Sequence, residues 1–372
     1  MKIAILSPVY PYRGGIAQFS GMLSKALQNQ GNDVALFNFS RLYPSFLFPG
    51  KTQYVGKDDL TNVVESQRVM DSVCPFSWFQ TAKSIRKYAP DILIISYWMS
   101  FFVPGYAVVA RSLRKQCKVI ALVHNAIPHE PRFFDRPFAS SLFRLCQGFI
   151  TLSENVRKDI HMLTPGAVCM CRPHPLYNQF GAKMDKTEAK KSLHIASDKK
   201  TLLFFGLIRD YKGLDLLIDA FDKLGDDYQL VIAGECYGSF DKYQQQIDHS
   251  SAKDRVYVHN RYVSDDEVPA FFSAADVCVL PYRTATQSGV VSIAYHFELP
   301  MIATNSGGLG ESIEKPGAGL MVPETNSDSI AETIRRFFAC DRSVFEENIR
   351  NMKKELTWEK FAEALIDFAD KL

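Results

Sequence analysis

The chain has 372 residues, with 43 basic and 41 acidic side chains and a net charge of +2. That length is too great for one ordinary core, so two domains are expected, and the near-neutral balance without a long basic run excludes nucleic acid as the main ligand. Eight cysteines with no C-x-x-C pair point to reduced thiols in a cytoplasmic protein rather than to a zinc or redox site. From the N-terminus, residues 3–7 form an apolar strand without the layout of a signal peptide. It runs into Tyr10, Tyr12, Arg13 and the pair Gly14-Gly15, and helical periodicity follows over 17–29. Paired glycines let the backbone approach a ligand, though a tight turn also accounts for them. Further strands are predicted at 34–39, 92–97, 119–123, 149–152 and 168–171, with a helix at 104–115. The uncharged run 92–110 has the length of a membrane span, but a strand and the pair Pro104-Gly105 break it. Its aromatics, Tyr97, Trp98, Phe101 and Phe102, read either as core or as a surface for a lipid-linked substrate. His124 closes the 119–123 strand, where it can donate to a sugar hydroxyl or phosphate or serve structurally.

The polar, Lys-rich stretch 178–200 reads as the link between domains. Beyond it, strands are predicted at 202–205, 230–233, 256–259, 277–280, 301–304 and 320–322. Helices are expected near 214–224, 265–274, 290–297 and 327–338, and an amphipathic segment, 358–372, closes the chain. Both halves therefore alternate short buried strands with helices, the pattern of parallel sheets covered on both faces. In such sheets ligands bind beyond the carboxyl ends of the strands.

The most informative strand end is Gly206 with Arg209, Lys212 and Gly213. An apolar strand stops at glycine, two cations follow three residues apart, and a helix begins. Helix-start amides and the helix dipole favour an anion there, Arg209 can fork onto phosphate oxygens and Lys212 adds a point charge. A solvated loop with two cations is the alternative for this stretch alone. Other strand ends carry Glu235, then Arg261 and Tyr262 with a face suited to a nucleobase, and the small polar loop Thr286, Gln287, Ser288, Gly289, Val290 and Val291. Its amides can hold a diphosphate from the side opposite Arg209 and Lys212. Asn305-Ser306-Gly307-Gly308-Leu309 with Glu311 opens another helix. Together these ends argue for a nucleoside diphosphate site.

Assembled, these residues resemble the retaining group 1 glycosyltransferases (family four) of the GT-B fold. The resemblance rests on Gly206, Arg209, Lys212 and Gly213, on Ala274-Ala275-Asp276-Val277 with Leu280-Pro281, and on the segment 305–311. It implies an α/β architecture of two Rossmann-like parallel-sheet domains facing across a cleft. Residues 1–180 would bind the acceptor, 181–354 the donor, and 355–372 would form a helix crossing back to the first domain. It further implies that Arg209 and Lys212 hold the donor diphosphate, that Gly14 and Gly15 approach the phosphates and that His124 contacts the transferred sugar. Glu235, Arg261 and Tyr262 would lie near base and ribose. The family's two glutamates, separated by seven residues, are absent: their positions fall near Ala285 or Thr286 and near Ile293 or Ala294. Thr286, Gln287 and the amides around Gly289 are the expected substitutes.

The expected function is transfer of a hexose from a UDP- or GDP-linked sugar to a saccharide or lipid-linked saccharide, with retained configuration. No cofactor is expected beyond the nucleotide-sugar co-substrate. No metal is expected either, because two cations are present and no Asp-x-Asp closes a strand. In the family the leaving phosphate oxygen takes the acceptor's proton. Tyr10, Tyr12, Trp98, Phe101 and Arg132 are the acceptor-binding candidates. A cytoplasmic protein with peripheral contact at the inner face of the membrane is the expected setting. The rivals are a nucleotide-sugar epimerase, which needs acid and base carboxylates, and a nucleotide-sugar-binding subunit that has lost catalysis.

Overall fold

Short buried strands alternating with helices favour parallel pairing, and a computed structural model shows that arrangement. It describes residues 1–44, 52–55, 63–127, 132–176, 180–285 and 288–372. The chain divides into two compact units, Met1–Pro173 with Thr357–Leu372, and His174–Leu356. The first unit runs β1 (Lys2–Leu6), α1 (Gly15–Asn29), β2 (Asp33–Arg41), β3 (Gln67–Asp71), α2 (Pro75–Tyr88), β4 (Ile92–Tyr97) and α3 (Val103–Leu113). It continues with β5 (Lys118–Val123), α4 (Asp135–Phe143), β6 (Gly148–Thr151), α5 (Glu154–Leu163) and β7 (Cys169–Cys171). The second unit runs α6 (Lys186–Ser192), β8 (Lys200–Phe205), α7 (Leu214–Phe221), β9 (Tyr228–Ala233), α8 (Asp241–His249), β10 (Val256–His259) and α9 (Val268–Ala274). It ends with β11 (Val277–Leu280), α10 (Gly289–His296), β12 (Met301–Thr304), α11 (Leu309–Ile313), β13 (Gly319–Val322), α12 (Ser327–Ala339) and α13 (Ser343–Lys353). The last helix, α14 (Trp358–Asp370), belongs to the first unit.

Each unit holds one parallel sheet, in the order β3-β2-β1-β4-β5-β6-β7 and β10-β9-β8-β11-β12-β13. The order reverses between β1 and β4 and between β8 and β11. Right-handed crossovers then place helices on both faces. In the first unit Ile3 and Ile5 of β1 pack with Phe19 and Leu23 of α1 and Trp358 of α14, while Ala4 and Leu6 face the side that holds Ile85 of α2, Val109 of α3 and Leu142 of α4. In the second, Leu202 and Phe204 of β8 pack with α7 and α12, and Leu203 and Phe205 with α9 and α10. These alternating faces leave the strand ends, rather than the strand faces, for ligands.

The strands expected from the sequence are present within a residue or two. β3, α2, α4, α6, α8 and α13 were not expected, whereas α5 starts at the pair Ser153-Glu154, whose sequence reads as a helix cap, with Ser153 Oγ accepting from the Val156 N–H. β3 is a polar edge strand with little apolar signal, and the Lys-rich stretch taken as a link contains α6, which packs beside α9. The units separate at Pro173 rather than at 180. The physical reason is that Leu176 and Phe180 are buried in the second unit's core, and the Leu176 N–H donates to Leu356 O at 2.9 Å. Helix α14 is anchored by edge-to-face contacts of Trp358 and Phe361 with Phe19, at 5.0 and 5.6 Å between ring centroids. The Lys118 ammonium donates to Ala369 O at 2.8 Å. Trp358→Ala removes a ring that is 4% exposed and should lower the stability of the first unit by about 3–5 kcal/mol, read from its transition in urea.

Candidate active site

The chain leaves β8 at Gly206 and two backbone bonds extend its pairing with the strand beside it. Ile208 N–H donates to Glu235 O at 2.9 Å and Tyr237 N–H to Ile208 O at 3.3 Å. This pairing sets the Tyr237 ring under the Arg209 guanidinium, 4.5 Å from ring centroid to Cζ. Gly234 ends β9 at φ 146, and a Cβ there would stand 2.1 Å from Gly206 O, so the two strand ends cross where only glycine fits. A single 3-10 turn, Asp210–Lys212, follows, and Gly213 at φ 66 turns the chain into α7. A Cβ on Gly213 would meet Pro281 O at 2.1 Å, which holds the loop after β8 against the loop after β11.

That turn carries Lys212 inward. The side chain is 8% exposed, and its ammonium lies 5.4 Å from the centroid of the buried Tyr282 ring. Burial pulls the ammonium pKa down from 10.5 to about 8, with Arg209 adding to the shift and Cys278 opposing it. No carboxylate offsets this. Asp210 is engaged by Lys242 and by the Tyr243 hydroxyl at 3.2 Å, and Asp215 is held by both arms of Arg283 at 2.9 and 2.5 Å. Among the described residues neither Arg209 nor Lys212 has an acidic partner. Two cations lie at one strand end while both acids of their loop are committed elsewhere, which is the electrostatics of an anion site.

The opposite wall comes from the loop after β11. Tyr282 is fully buried, and its hydroxyl lies 3.3 Å from Ser288 Oγ, the N-cap of α10. Thr304 donates to Tyr282 O at 2.5 Å, and the Arg283 N–H donates to Tyr211 O at 2.7 Å. A Cβ at Gly206 would lie 3.2 Å from Val290 Cγ2 and 3.5 Å from Lys212 Nζ, so the strand end, the ammonium and the first turn of α10 converge. This is the β8/β11 reversal point, where the sheet topology opens a crevice. Gly206, Arg209, Lys212, Ser288, Gly289, Val290 and Val291 are thus brought together. Thr286 and Gln287 lie outside the described residues. Sequence reading missed Tyr237 and Tyr282. The signal for Tyr282 was its place immediately after Leu280-Pro281 at a strand end.

Other expected residues stand apart from this cluster or are otherwise occupied. Glu235 is half-buried beside the β8 loop. Arg261 is exposed beyond β10 and forks onto Glu267 at 2.8 and 2.5 Å, and that contact holds the Glu267 carboxyl down to about 2. Its charge is matched within its own loop. Tyr262 is 64% exposed. Ile293 and Ala294, where the family carries a glutamate, are buried in the core. Glu298 cannot replace it, because its carboxylate binds Lys353 at 2.9 Å and Arg350 at 3.4 Å.

In the first unit, Gly14 at φ 113 caps α1, with open space where its Cβ would stand. His124 follows β5, its N–H donating to Tyr97 O at 2.8 Å and its ring edge-on to Phe19 at 5.3 Å. Gly15 starts α1 and Tyr10 is half-buried, its carbonyl accepting from Asn38 at 2.9 Å. Tyr12 is in the core rather than on a surface: it is 2% exposed, stacks on Tyr54 at 5.2 Å and donates to Phe39 O at 3.2 Å. Tyr97 and Phe102 are also fully buried, and Trp98 and Phe101 are half-buried against the same core. Trp98 donates to Tyr43 Oη at 3.1 Å and Phe101 stacks on Tyr43 at 6.1 Å. This aromatic group is packing, not an open surface. Arg132 is exposed before α4.

With the fold and this site in view, the chain can be compared with known proteins. Residues 185–355 match the family of glycosyl transferases group 1, and residues 13–165 match Glycosyltransferase Family 4. The chain is 27% identical over 406 residues to an uncharacterized glycosyltransferase of Methanocaldococcus jannaschii, covering 99% of this chain and 97% of that one. It is 28% identical over 142 residues to the lipopolysaccharide core biosynthesis mannosyltransferase LpsB of Rhizobium meliloti, covering 36% of this chain and 40% of that protein. Among solved structures, it resembles sucrose-phosphate synthase from Thermosynechococcus elongatus with a TM-score of 0.74 at 18% identity, over 100% and 98% of the two chains. It resembles HepE of Anabaena, in complex with UDP, with a TM-score of 0.76 at 15% identity over 100% of both chains. The chain belongs to the group 1 glycosyltransferases of the GT-B fold. It is a glycosyltransferase.

The uncompensated ammonium carries a stability cost that titrates. Below pH 8 Lys212 is charged in both the folded and unfolded chain and the cost is complete; between about 8 and 10.5 the unfolded chain holds more protons, so stability rises with pH. Lys212→Met should therefore stabilise the ligand-free protein by about 2–3 kcal/mol at neutral pH. The gap between the two proteins should close as pH rises through that window, measured by denaturant unfolding at several pH values.

Proposed function

We propose that this glycosyltransferase moves a hexose from a UDP- or GDP-linked sugar to a saccharide or lipid-linked saccharide, with retention of anomeric configuration. The observation that carries the reading is the pair of cations at the end of β8 with no acidic partner, facing the start of α10. As the bond from C1 of the sugar to the diphosphate oxygen breaks, negative charge grows on the diphosphate. Arg209, Lys212 and the first-turn amides of α10 stabilise it. The acceptor oxygen bonds to C1, and its proton passes to the leaving phosphate oxygen. No carboxylate base is called for, and the reading uses no metal because the two side chains supply the positive charge. The second unit takes the donor, and the acceptor is assigned to the first. Two similar proteins lend support: HepE of Anabaena is solved with UDP-glucose, and LpsB of Rhizobium meliloti is a mannosyltransferase of lipopolysaccharide core biosynthesis.

A second reading, a nucleotide-sugar-binding subunit without catalysis, is favoured by one observation, the buried Ile293 and Ala294 where the family has an acid. Incubation of the purified protein with UDP- and GDP-hexoses and saccharide acceptors separates the two. The transferase should give a product whose anomeric proton coupling matches that of the donor. Arg209→Gln or Lys212→Met should each lower kcat by roughly 100-fold to 1000-fold, the effect of removing one preorganised charge-stabilising group. Nucleotide binding without turnover of any donor would favour the binding subunit, and an inverted product would refute retention.

A further inference from the structure

The first unit has a strongly asymmetric surface that the donor chemistry does not use. Helices α2, α3 and α4 lie side by side, each packed on the next, over one face of the sheet. Helix α2 exposes Lys83, Arg86 and Lys87. Helix α3 and the turn after it expose Arg111, Arg114 and Lys115. Helix α4 and its flanks expose Arg132, Arg136 and Arg144. The acid in these three segments is Asp135, which is 4% exposed and turned inward to Ser100 and the Arg132 N–H. No ion pair among the described residues uses a cation of this layer. The chain as a whole carries only +2, so the remainder is acidic and the positive charge is concentrated here.

Large apolar rings stand among these cations. Phe76 is 81% exposed and Phe79 62%, both in the first turns of α2; Phe133 is 93% exposed and Phe138 40%, at the start of α4. On α2, Phe76, Phe79, Lys83 and Lys87 follow helical spacing along one stripe. Both ring pairs lie at the N-terminal ends of helices that follow parallel strands, hence on the side of the strands' carboxyl ends, with α3 between them. Exposed apolar groups gathered on one face and rimmed by polar residues mark an interaction site. A basic face that also offers phenylalanines on two separate helices matches a charged interface with an apolar layer beneath it. Phosphates meet the cations and the rings enter the acyl boundary. A duplex nucleic acid would meet the cations but leave the rings without a partner, because its bases are already stacked on one another.

We propose that the α2–α3–α4 face docks this protein on an anionic lipid bilayer, with Phe76 and Phe79 inserted and Lys83 and Lys87 against the headgroups. The test is sedimentation of the whole protein with vesicles of phosphatidylglycerol and phosphatidylcholine in equal parts, against vesicles of phosphatidylcholine alone. The protein should pellet with the anionic vesicles, be released by added salt, and stay in solution with the neutral ones. Phe76→Ser with Phe79→Ser, and separately Lys83→Glu with Lys87→Glu, should each lower partitioning at least about tenfold. Unfolding midpoints near that of the parent protein would show that both variants fold. A parent protein that remains in the supernatant, equal binding to neutral vesicles, or folded variants that pellet like the parent would each overturn the proposal.

Discussion

A buried ammonium that no acid answers among the described residues is the constraint around which the site of the second unit is organised. Folding leaves Lys212 charged and nearly closed off, a cost that a protein retains only where a ligand relieves it or a packing gain exceeds it. The surroundings maintain that condition. Asp210 lies one residue from Arg209 and would quench it, but Lys242 and Tyr243 hold its carboxylate. Asp215 opens α7 and is drawn off by Arg283. Tyr237 and Tyr282 offer the two cations aromatic faces, which hold a charge without neutralising it. The result is a site that is positive before any ligand arrives.

The parallel sheet is what makes such a site available. Its strands are covered on both faces, so polar chemistry is confined to their ends, and the reversal of order between β8 and β11 opens space at one pair of ends. The loop after β8 brings the cations, and the loop after β11 brings Tyr282 and the start of α10. Gly213 and Gly234 let these backbones approach within a distance no side chain permits. The same helix α10 shows how the site departs from its family. Its inner positions, Ile293 and Ala294, serve the core, so donor recognition cannot pass through an acid there. This leaves Arg209 and Lys212 as the cations of this site, neither with an acidic partner among the described residues.

Much of this was legible in the sequence because burial writes itself as apolar runs. Every strand of the second unit was visible, as were the two cations spaced three apart after Gly206. What was hidden had physical causes. β3 is an edge strand in which Val69 and Met70 alone are hydrophobic, so its pattern is faint. Helix α2 was missed because Phe76 and Phe79 point outward and blur the apolar stripe formed by Trp78, Thr81, Ala82 and Ile85. Tyr12 read as an acceptor contact because it is one of several aromatics near strand ends of the first unit, yet a position near a strand end can still turn inward. Arg261 read as a base contact because its partner Glu267 lies six residues on in the same loop, and pairing at that spacing leaves no periodic mark. Tyr237 was invisible for a related reason: its role depends on a strand pairing that continues past the glycines.

The account stands or falls on whether the site after β8 holds a pyrophosphate. Isothermal titration of UDP and GDP into the ligand-free protein at neutral pH, repeated with Arg209→Gln and Lys212→Met combined, measures this directly. Two charge-assisted contacts together account for roughly a hundredfold or more in affinity, so the combined variant should show at least that rise in Kd for whichever nucleotide binds. Because binding requires the charged ammonium, affinity for the parent protein should also fall as pH rises through about 8, with proton uptake on binding. Binding of both nucleotides unchanged by the double substitution, with no pH dependence in that range, would contradict the account.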